Sequence, residues 1–236
     1  MRRILADAGY SGLRTARYMH RQFGPDEAKR FYDRFGGLQD AQVYERTALK
    51  RLLTASDFKH ASAVFELGCG TGRLAAQLLE EHLPEAARYL GADISSTMVG
   101  IATRRLTRWG KRATVSQVDG TGSLPSTDGS FDRFVATYVL DLLPDAAIAD
   151  VLREAHRLLV SDGKLCVITS TEGTGSISRL VSAAWMRLYK VNPSLVGGCR
   201  SLQRRSWLDE RDWSVEHAEV VTSWGIASEI VVARRP

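Results

Sequence analysis

A run of glycines and the acidic residues around it are the parts of this chain whose type and spacing point to chemistry. Glu66-Leu67-Gly68-Cys69-Gly70-Thr71-Gly72 stands directly between a short apolar run, Ala63 to Leu67, and a helical pattern carrying Leu74, Ala75, Leu78 and Leu79. Glycines at such a junction let the backbone turn sharply and approach a ligand with no side chain in between. A dinucleotide fingerprint would put its third glycine at position 73, but that position holds Arg73 and the glycine falls at 72. Glu66 is a second discriminator. A carboxylate beside this turn would repel a pyrophosphate, yet it suits a ligand that bears an ammonium and a sulfonium.

Three aspartates recur where later strand-like runs end. Asp93 closes Leu90-Gly91-Ala92-Asp93, where an acidic side chain can accept hydrogen bonds from both hydroxyls of a ribose; the alternative is a cap on the helix that follows Ser95. Asp119 ends Val115-Ser116-Gln117-Val118-Asp119, with a simple turn aspartate as the alternative. Asp141 follows Thr137-Tyr138-Val139-Leu140. It is placed either to take a proton from an acceptor or to cap the helix starting near Pro144.

The elements that must position these residues follow from periodicity. Strand-like runs are expected at Ala63 to Leu67, Arg88 to Asp93, Ala113 to Val118, Phe131 to Thr137 and Lys164 to Thr169, with helical patterns after the glycine run and over 96–109 and 145–159. Such alternation predicts an α/β fold with a mostly parallel sheet and helices on both faces. A further helix over 176–190 and two closing strands, near 214–222 and 226–233, predict an antiparallel terminal hairpin. The first 60 residues predict a helical N-terminal cap jointed at Gly36-Gly37. The chain of 236 residues is long enough for one such domain and lacks internal repeats. Residues 1–60 are expected as cap, 61–170 as core, and 171–236 as acceptor-side insertion plus hairpin.

The glycine run resembles the E-x-G-x-G-x-G signature of class I S-adenosylmethionine-dependent methyltransferases, in the broad group that includes ubiquinone and menaquinone biosynthesis enzymes. The resemblance covers roughly residues 62–170. It implies a Rossmann-like seven-stranded sheet and S-adenosylmethionine as cofactor. The cofactor would be held by Glu66, Gly68, Cys69, Gly70 and Gly72, with Asp93 on the ribose and Ile94 and Met98 against the adenine or ribose. Asp119 and Gly120 would meet the adenine, and Thr137 would offer its backbone carbonyl to the ammonium. It implies too that Leu158 to Leu165 is a helix-to-strand turn closed by Gly163. Phe31-Tyr32-Asp33 resembles an element of the same group that folds over the cofactor, so Tyr32 is expected either to close the site or to pack as a plain aromatic.

The acceptor is narrowed by what remains. The stretch from Glu172 to Arg205, with Trp185, Met186, Tyr189 and Cys199, is aromatic and apolar, which fits a small molecule with hydrophobic surface. Cys199 has only Arg200 nearby to activate it, so it is not expected as a nucleophile, and His156 sits mid-helix as a surface or packing residue. Nucleic-acid methylation is disfavoured: the fourth strand ends Thr137-Tyr138-Val139-Leu140 rather than D/N-P-P-Y/F, and no Pro-Cys pair occurs. RNA or protein methylation, and cofactor binding without transfer, are the alternatives. The net charge of +5 is spread along the chain. The early arginines with Tyr10, Leu13, Tyr18, Met19 and Phe23 could meet a membrane surface. Three cysteines without metal-ligand spacing, no apolar run near the ~20 residues of a membrane span and no signal-like segment predict a cytoplasmic enzyme without a metal.

Overall fold

The computed structural model describes residues 29–30, 33, 45–120, 123–192, 198–203 and 205–236. The glycine joint at 36–37, Tyr32, the apolar residues of the first 28 positions and Thr121 lie outside the described residues.

Helix α1 (Glu45–Ala55) precedes strand β1 (Ala63–Leu67), helix α2 (Arg73–Gln77) with a wide π-type turn over Leu78–His82, strand β2 (Arg88–Asp93) and helix α3 (Ser96–Leu106). Strands β3 (Ala113–Gln117) and β4 (Phe131–Thr137), helix α4 (Asp145–Leu158), strand β5 (Leu159–Thr171) and helix α5 (Ser176–Val191) follow. Strands β6 (Ser214–Ser223) and β7 (Ile226–Arg234) close the order. They form one seven-stranded sheet in the order β3-β2-β1-β4-β5-β7-β6. The first five pair in parallel, while β7 runs antiparallel to both β5 and β6. This is the mostly parallel sheet with an antiparallel terminal hairpin that the alternation predicts.

Strand β1 is buried at every position, because helices cover both faces of the central sheet and a strand so placed cannot alternate apolar with polar. Its odd and even positions serve different layers. Phe65 and Leu67 join Phe134, Ala136, Leu165 and Val167 against Ile148, Leu152 and Leu158 of α4. Val64 joins Val135, Cys166, Ile168 and Val232 on the face covered by Leu52 of α1 and Leu74 and Leu78. Glu66 therefore points to the α1 and α2 side, the only polar residue in β1. Edge strand β6 instead alternates exposed with partly buried positions and carries Glu216, His217 and Glu219, as an unpaired edge should.

Two local expectations are corrected. Helix α4 ends at Leu158 with an extended Leu159, so Gly163 does not close it. The glycine lies inside β5, where a Cβ would come within 2.8 Å of the Val160 carbonyl oxygen; Asp162 beside it takes the left-handed conformation. A register shift between Phe131 and Arg133 marks the same bulge, and so β5 begins five residues earlier than the apolar pattern shows. Asp141 does not cap α4 either: Pro144 occupies the cap position with no side-chain bond.

Candidate cofactor and acceptor site

The strand order reverses between β1 and β4, since the chain winds outward through β2 and β3 before returning. The crevice at the carboxyl ends of strands beside such a switch is where open α/β sheets bind ligands. The glycine run, Asp93 and the stretch from Thr137 to Asp141 all lie at those ends.

The glycine run is held by its own backbone. The amides of Gly68 and Cys69 both donate to the Ala92 carbonyl, at 2.7 and 3.1 Å, and the Gly72 amide donates to Cys69 O at 2.9 Å. Gly68, Gly70 and Gly72 have φ of 68°, 52° and 74°, a region costly for residues with a Cβ. Gly68 has a second reason to be bare: a Cβ there would stand 2.4 Å from Cγ2 of Val139, on the loop after β4. At Gly72 it would meet Ala102 of α3 at 3.0 Å. Arg105 of α3 donates to the Thr71 hydroxyl at 2.7 Å, so that helix also braces the loop.

Asp93 ties this loop to the next one. Its Oδ2 accepts from the Gly70 amide and its Oδ1 from the Ser95 amide, both at 2.9 Å. Burial raises its carboxyl above the usual value, and these amides offset part of that rise. Each oxygen keeps lone-pair capacity for a further donor. The cap on α3 is Ser95 rather than Asp93: Ser95 Oγ accepts from Met98 N at 3.2 Å. Ser95 also donates to Asp33 Oδ1 at 2.5 Å, and Thr97 N donates to the same oxygen at 3.3 Å. The N-terminal stretch thus reaches the site through the aspartate next to Tyr32. Ser95→Ala is expected to cost about 1–2 kcal/mol, read as a lower urea midpoint at unchanged slope, through loss of the cap.

Glu66 is buried and accepts from the Tyr89 hydroxyl at 2.5 Å. Register explains the meeting: Glu66 pairs with Gly91, whose missing side chain leaves room for the Tyr89 hydroxyl, 2.8 Å from where a Cβ would stand. Desolvation lifts the Glu66 carboxyl to about 8, Tyr89 draws it down, and the charge of Asp93 adds to the rise. A cation placed beside it would favour the ionised form. Cys69, also buried, has its thiol pushed far up by burial and by those two acids, so it is inert.

The remaining sites expected from the sequence are spread around this pair. Ile94 is half-buried and its carbonyl accepts from Gln117; Met98 is fully buried in the first turn of α3. The Val118 amide donates to the Asp93 carbonyl at 3.0 Å, which brings the end of β3 to the site, with Asp119 exposed and Gly120 at φ 76° just beyond. Thr137 ends β4, and Tyr138 follows in the left-handed region at φ 55°, its hydroxyl 2.8 Å from Ser228 Oγ on β7. That bond steadies a conformation a tyrosine rarely adopts.

Asp141 lies in the 3-10 turn Leu140–Leu142 and is fully buried. Its Oδ2 accepts from the Ser170 amide at 3.2 Å, while Oδ1 has no hydrogen-bond partner among the described residues. Burial lifts its carboxyl to about 6, against the pull of Ser170 and Arg200. The segment opposite is tied to it: Arg200 N donates to Asp141 O at 3.0 Å, and Trp185 Nε1 of α5 donates to Cys199 O at 3.0 Å. The Cys199 thiol is pushed up by burial and by Asp141 and Glu45, which disfavours the thiolate. His156 packs edge-on against Trp213 at 5.6 Å.

These features match a known domain. The family described as "Methyltransferase domain" matches residues 64–163. Demethylmenaquinone methyltransferase of Lactobacillus johnsonii is 27% identical over 149 residues, 63% of this chain and 60% of that protein. Across the first curated relatives the match spans 31% to 60% of their own length. Among solved structures, the N-methyltransferase NodS of Bradyrhizobium japonicum, in complex with S-adenosyl-L-homocysteine, superposes with a TM-score of 0.63 at 16% identity, covering 89% of this chain and 98% of that one. The cyclase SpnF superposes at 0.69 and 17% identity, covering 91% and 97%. The chain carries a Rossmann-like methyltransferase domain. The match over residues 64–163 and the methyltransferase relatives support a class I S-adenosylmethionine-dependent methyltransferase, a class whose cofactor is S-adenosylmethionine.

Proposed function

We propose that this chain transfers the methyl group of S-adenosylmethionine to a small molecule with aromatic or apolar surface. The observation that carries the reading is the joining of two half-sites through Gly68 and Val139. On one side stands a glycine cradle with buried carboxylates at Glu66 and Asp93; on the other, the turn bearing buried Asp141. When bound, S-adenosylmethionine supplies a methyl group on a positively charged sulfur. A lone pair of the acceptor takes that carbon as the carbon–sulfur bonding electrons return to sulfur.

The chain's residues would hold, align and deprotonate. Glu66 balances the cationic end of the cofactor, Asp93 accepts from its ribose hydroxyls, and the positive-φ glycines let backbone amides come close. Ile94 and Met98 flank the adenine or ribose, Asp119 and Gly120 meet the adenine, and Thr137 offers its carbonyl to the ammonium. Asp141 accepts the proton that an acceptor hydroxyl or ammonium must lose, on the oxygen left without a partner among the described residues. Alignment and exclusion of water supply most of the rate. Tyr32, next to the Asp33 that contacts Ser95, closes over the cofactor in this reading.

The apolar acceptor is supported by the wall facing Asp141. Trp185, Met186 and buried Tyr189 come from one face of α5, and Met186 sulfur accepts from Ser201 N at 3.4 Å. A relative named for demethylmenaquinone points the same way, and one named for arsenite supports a small acceptor without bearing on its apolarity. One named for tRNA methylcytidine supports RNA as an alternative. The cyclase among the structural neighbours shows that this fold also occurs in a protein named for a different reaction. A screen with tritiated-methyl S-adenosylmethionine against phenols, amines, thiols and quinone precursors decides: label on a small molecule supports the proposal. Label found only on added RNA or protein, or on nothing despite cofactor binding, overturns it.

The pH dependence has a definite sign. Asp141 must be ionised to accept a proton, so kcat/KM should rise with pH through about 6 and then level off. Asp141→Asn should remove that rise and lower kcat by roughly 10²–10⁴-fold. Stability runs the other way. A carboxyl raised in the folded state favours folding fully only below its unfolded value near 3.8, and that contribution is lost as pH climbs through about 6. Thermal unfolding of the asparagine variant at pH 8 should therefore match or exceed the parent, which separates a chemical defect from a folding one.

A further inference from the structure

Helix α5 has two faces, and only one of them is explained by the site. Ser178, Ser182, Trp185, Met186 and Tyr189 face the protein: the Ser182 hydroxyl accepts from Gly173 N at 3.1 Å, Trp185 and Met186 hold the 199–201 segment, and Tyr189 is buried. The opposite face carries Leu180, Ala184, Leu188 and Val191, at the helical spacing of three and four. Leu180 is 73% exposed, Leu188 47% and Val191 79%. The turn between β6 and β7 adds Trp224, 82% exposed; Gly225 beside it lies against Val181, so the tip of the hairpin sits by the first turns of the helix. Four of the five large apolar side chains exposed among the described residues are therefore on this helix or this turn. Scattered exposed leucines are ordinary; a stripe with a tryptophan at its end is not.

The charges beside the stripe select its partner. Arg179, Arg187 and Lys190 are exposed on the same helix, which contains no acidic residue; Glu172, ahead of it, is the nearest acid in the sequence. Long basic side chains bordering an apolar stripe, with an indole at one end, match the boundary of an anionic bilayer, where the stems lie along the hydrocarbon and the charges reach the headgroups. A protein partner would more commonly meet a face with both signs of charge at its rim. We propose that the outward face of α5 and Trp224 form a docking surface for anionic lipid, so that the helix walling the acceptor side rests on the membrane. This goes beyond the proposed transfer reaction and stands whether or not that reaction is correct. No described helix is long and apolar enough to cross a membrane, so the contact is peripheral.

The test is sedimentation of the full chain with vesicles of pure phosphatidylcholine and with vesicles containing phosphatidylserine, over a range of salt. The chain should bind the anionic vesicles and release from them as salt rises. Leu188→Glu with Val191→Glu, both at exposed positions, should lower the partition coefficient about tenfold or more, and neutralising Arg179, Arg187 and Lys190 about fivefold per residue. Circular dichroism and cofactor titration confirm that the variants fold. Absence of binding to anionic vesicles overturns the proposal. So does binding that survives these substitutions but disappears when Arg2, Arg3, Arg14 and Arg17 are neutralised. Self-association of the parent that the glutamates abolish, without vesicle binding, would assign the face to a second copy and overturn it as well.

Discussion

Asp93→Ala is expected to reduce the affinity for S-adenosylhomocysteine by about a hundredfold or more. Each hydrogen bond to a charged acceptor is worth about 1.5–3 kcal/mol, and two ribose hydroxyls would lose theirs together. The damage spreads because Asp93 also accepts from Gly70 and Ser95, so its loss frees the loop that should be preformed for the ligand. Asp93→Asn keeps one acceptor oxygen and should fall between parent and alanine variant. Titration calorimetry on protein shown to be folded is the measurement. An alanine variant that binds as tightly as the parent would remove Asp93 from the cofactor site and leave it as a loop brace.

Gly68→Ala should be strongly destabilising for a change of a single methyl group. The left-handed backbone costs an alanine roughly 1–2 kcal/mol, and forcing a Cβ to 2.4 Å from Val139 adds roughly 1–3 kcal/mol of overpacking. Together these would lower the unfolding temperature by roughly 5–15 °C in a domain of this size. The two contributions separate in a double variant: adding Val139→Ala removes the methyl that blocks the new one and should restore the packing part while leaving the backbone part. Calorimetric unfolding of the four proteins measures both. If the single variant melts with the parent, the loop must move freely against the turn after β4, and the coupling of the half-sites is absent.

The strands that frame the candidate site were readable from the chain because their signals are local. Buried parallel strands appear as unbroken apolar runs, and acidic residues at or near the ends of those runs gather at the carboxyl edge of the sheet, as Glu66 and Asp93 do. Contacts that depend on register were not readable. Tyr89 meets Glu66 only because Gly91 is the residue paired with Glu66, and nothing near Tyr89 announces that. Asp141 offered two local readings, and the cap was the wrong one since the Ser170 amide, on another strand, claims its side chain. Gly163 looked like a helix stop because bulges and helix ends recruit the same residue. In the Phe31-Tyr32-Asp33 element the aromatic is the more conspicuous residue, while the aspartate makes the described contact, to a serine 62 positions away.

The place of β7 bears on how the protein is made. This strand lies between β5 and β6, and Ile230, Val231, Val232 and Ala233 are completely buried, yet it is the last of the seven in the chain. As synthesis proceeds from the N-terminus, every other strand leaves the ribosome before the one that covers β5. Until then the nascent domain carries an open, apolar sheet edge in its middle rather than at its rim, the kind of edge that invites pairing with other chains. The wall behind Asp141 closes only once β7 has emerged, so the domain depends on that strand, and on whatever shields the edge meanwhile, to become competent.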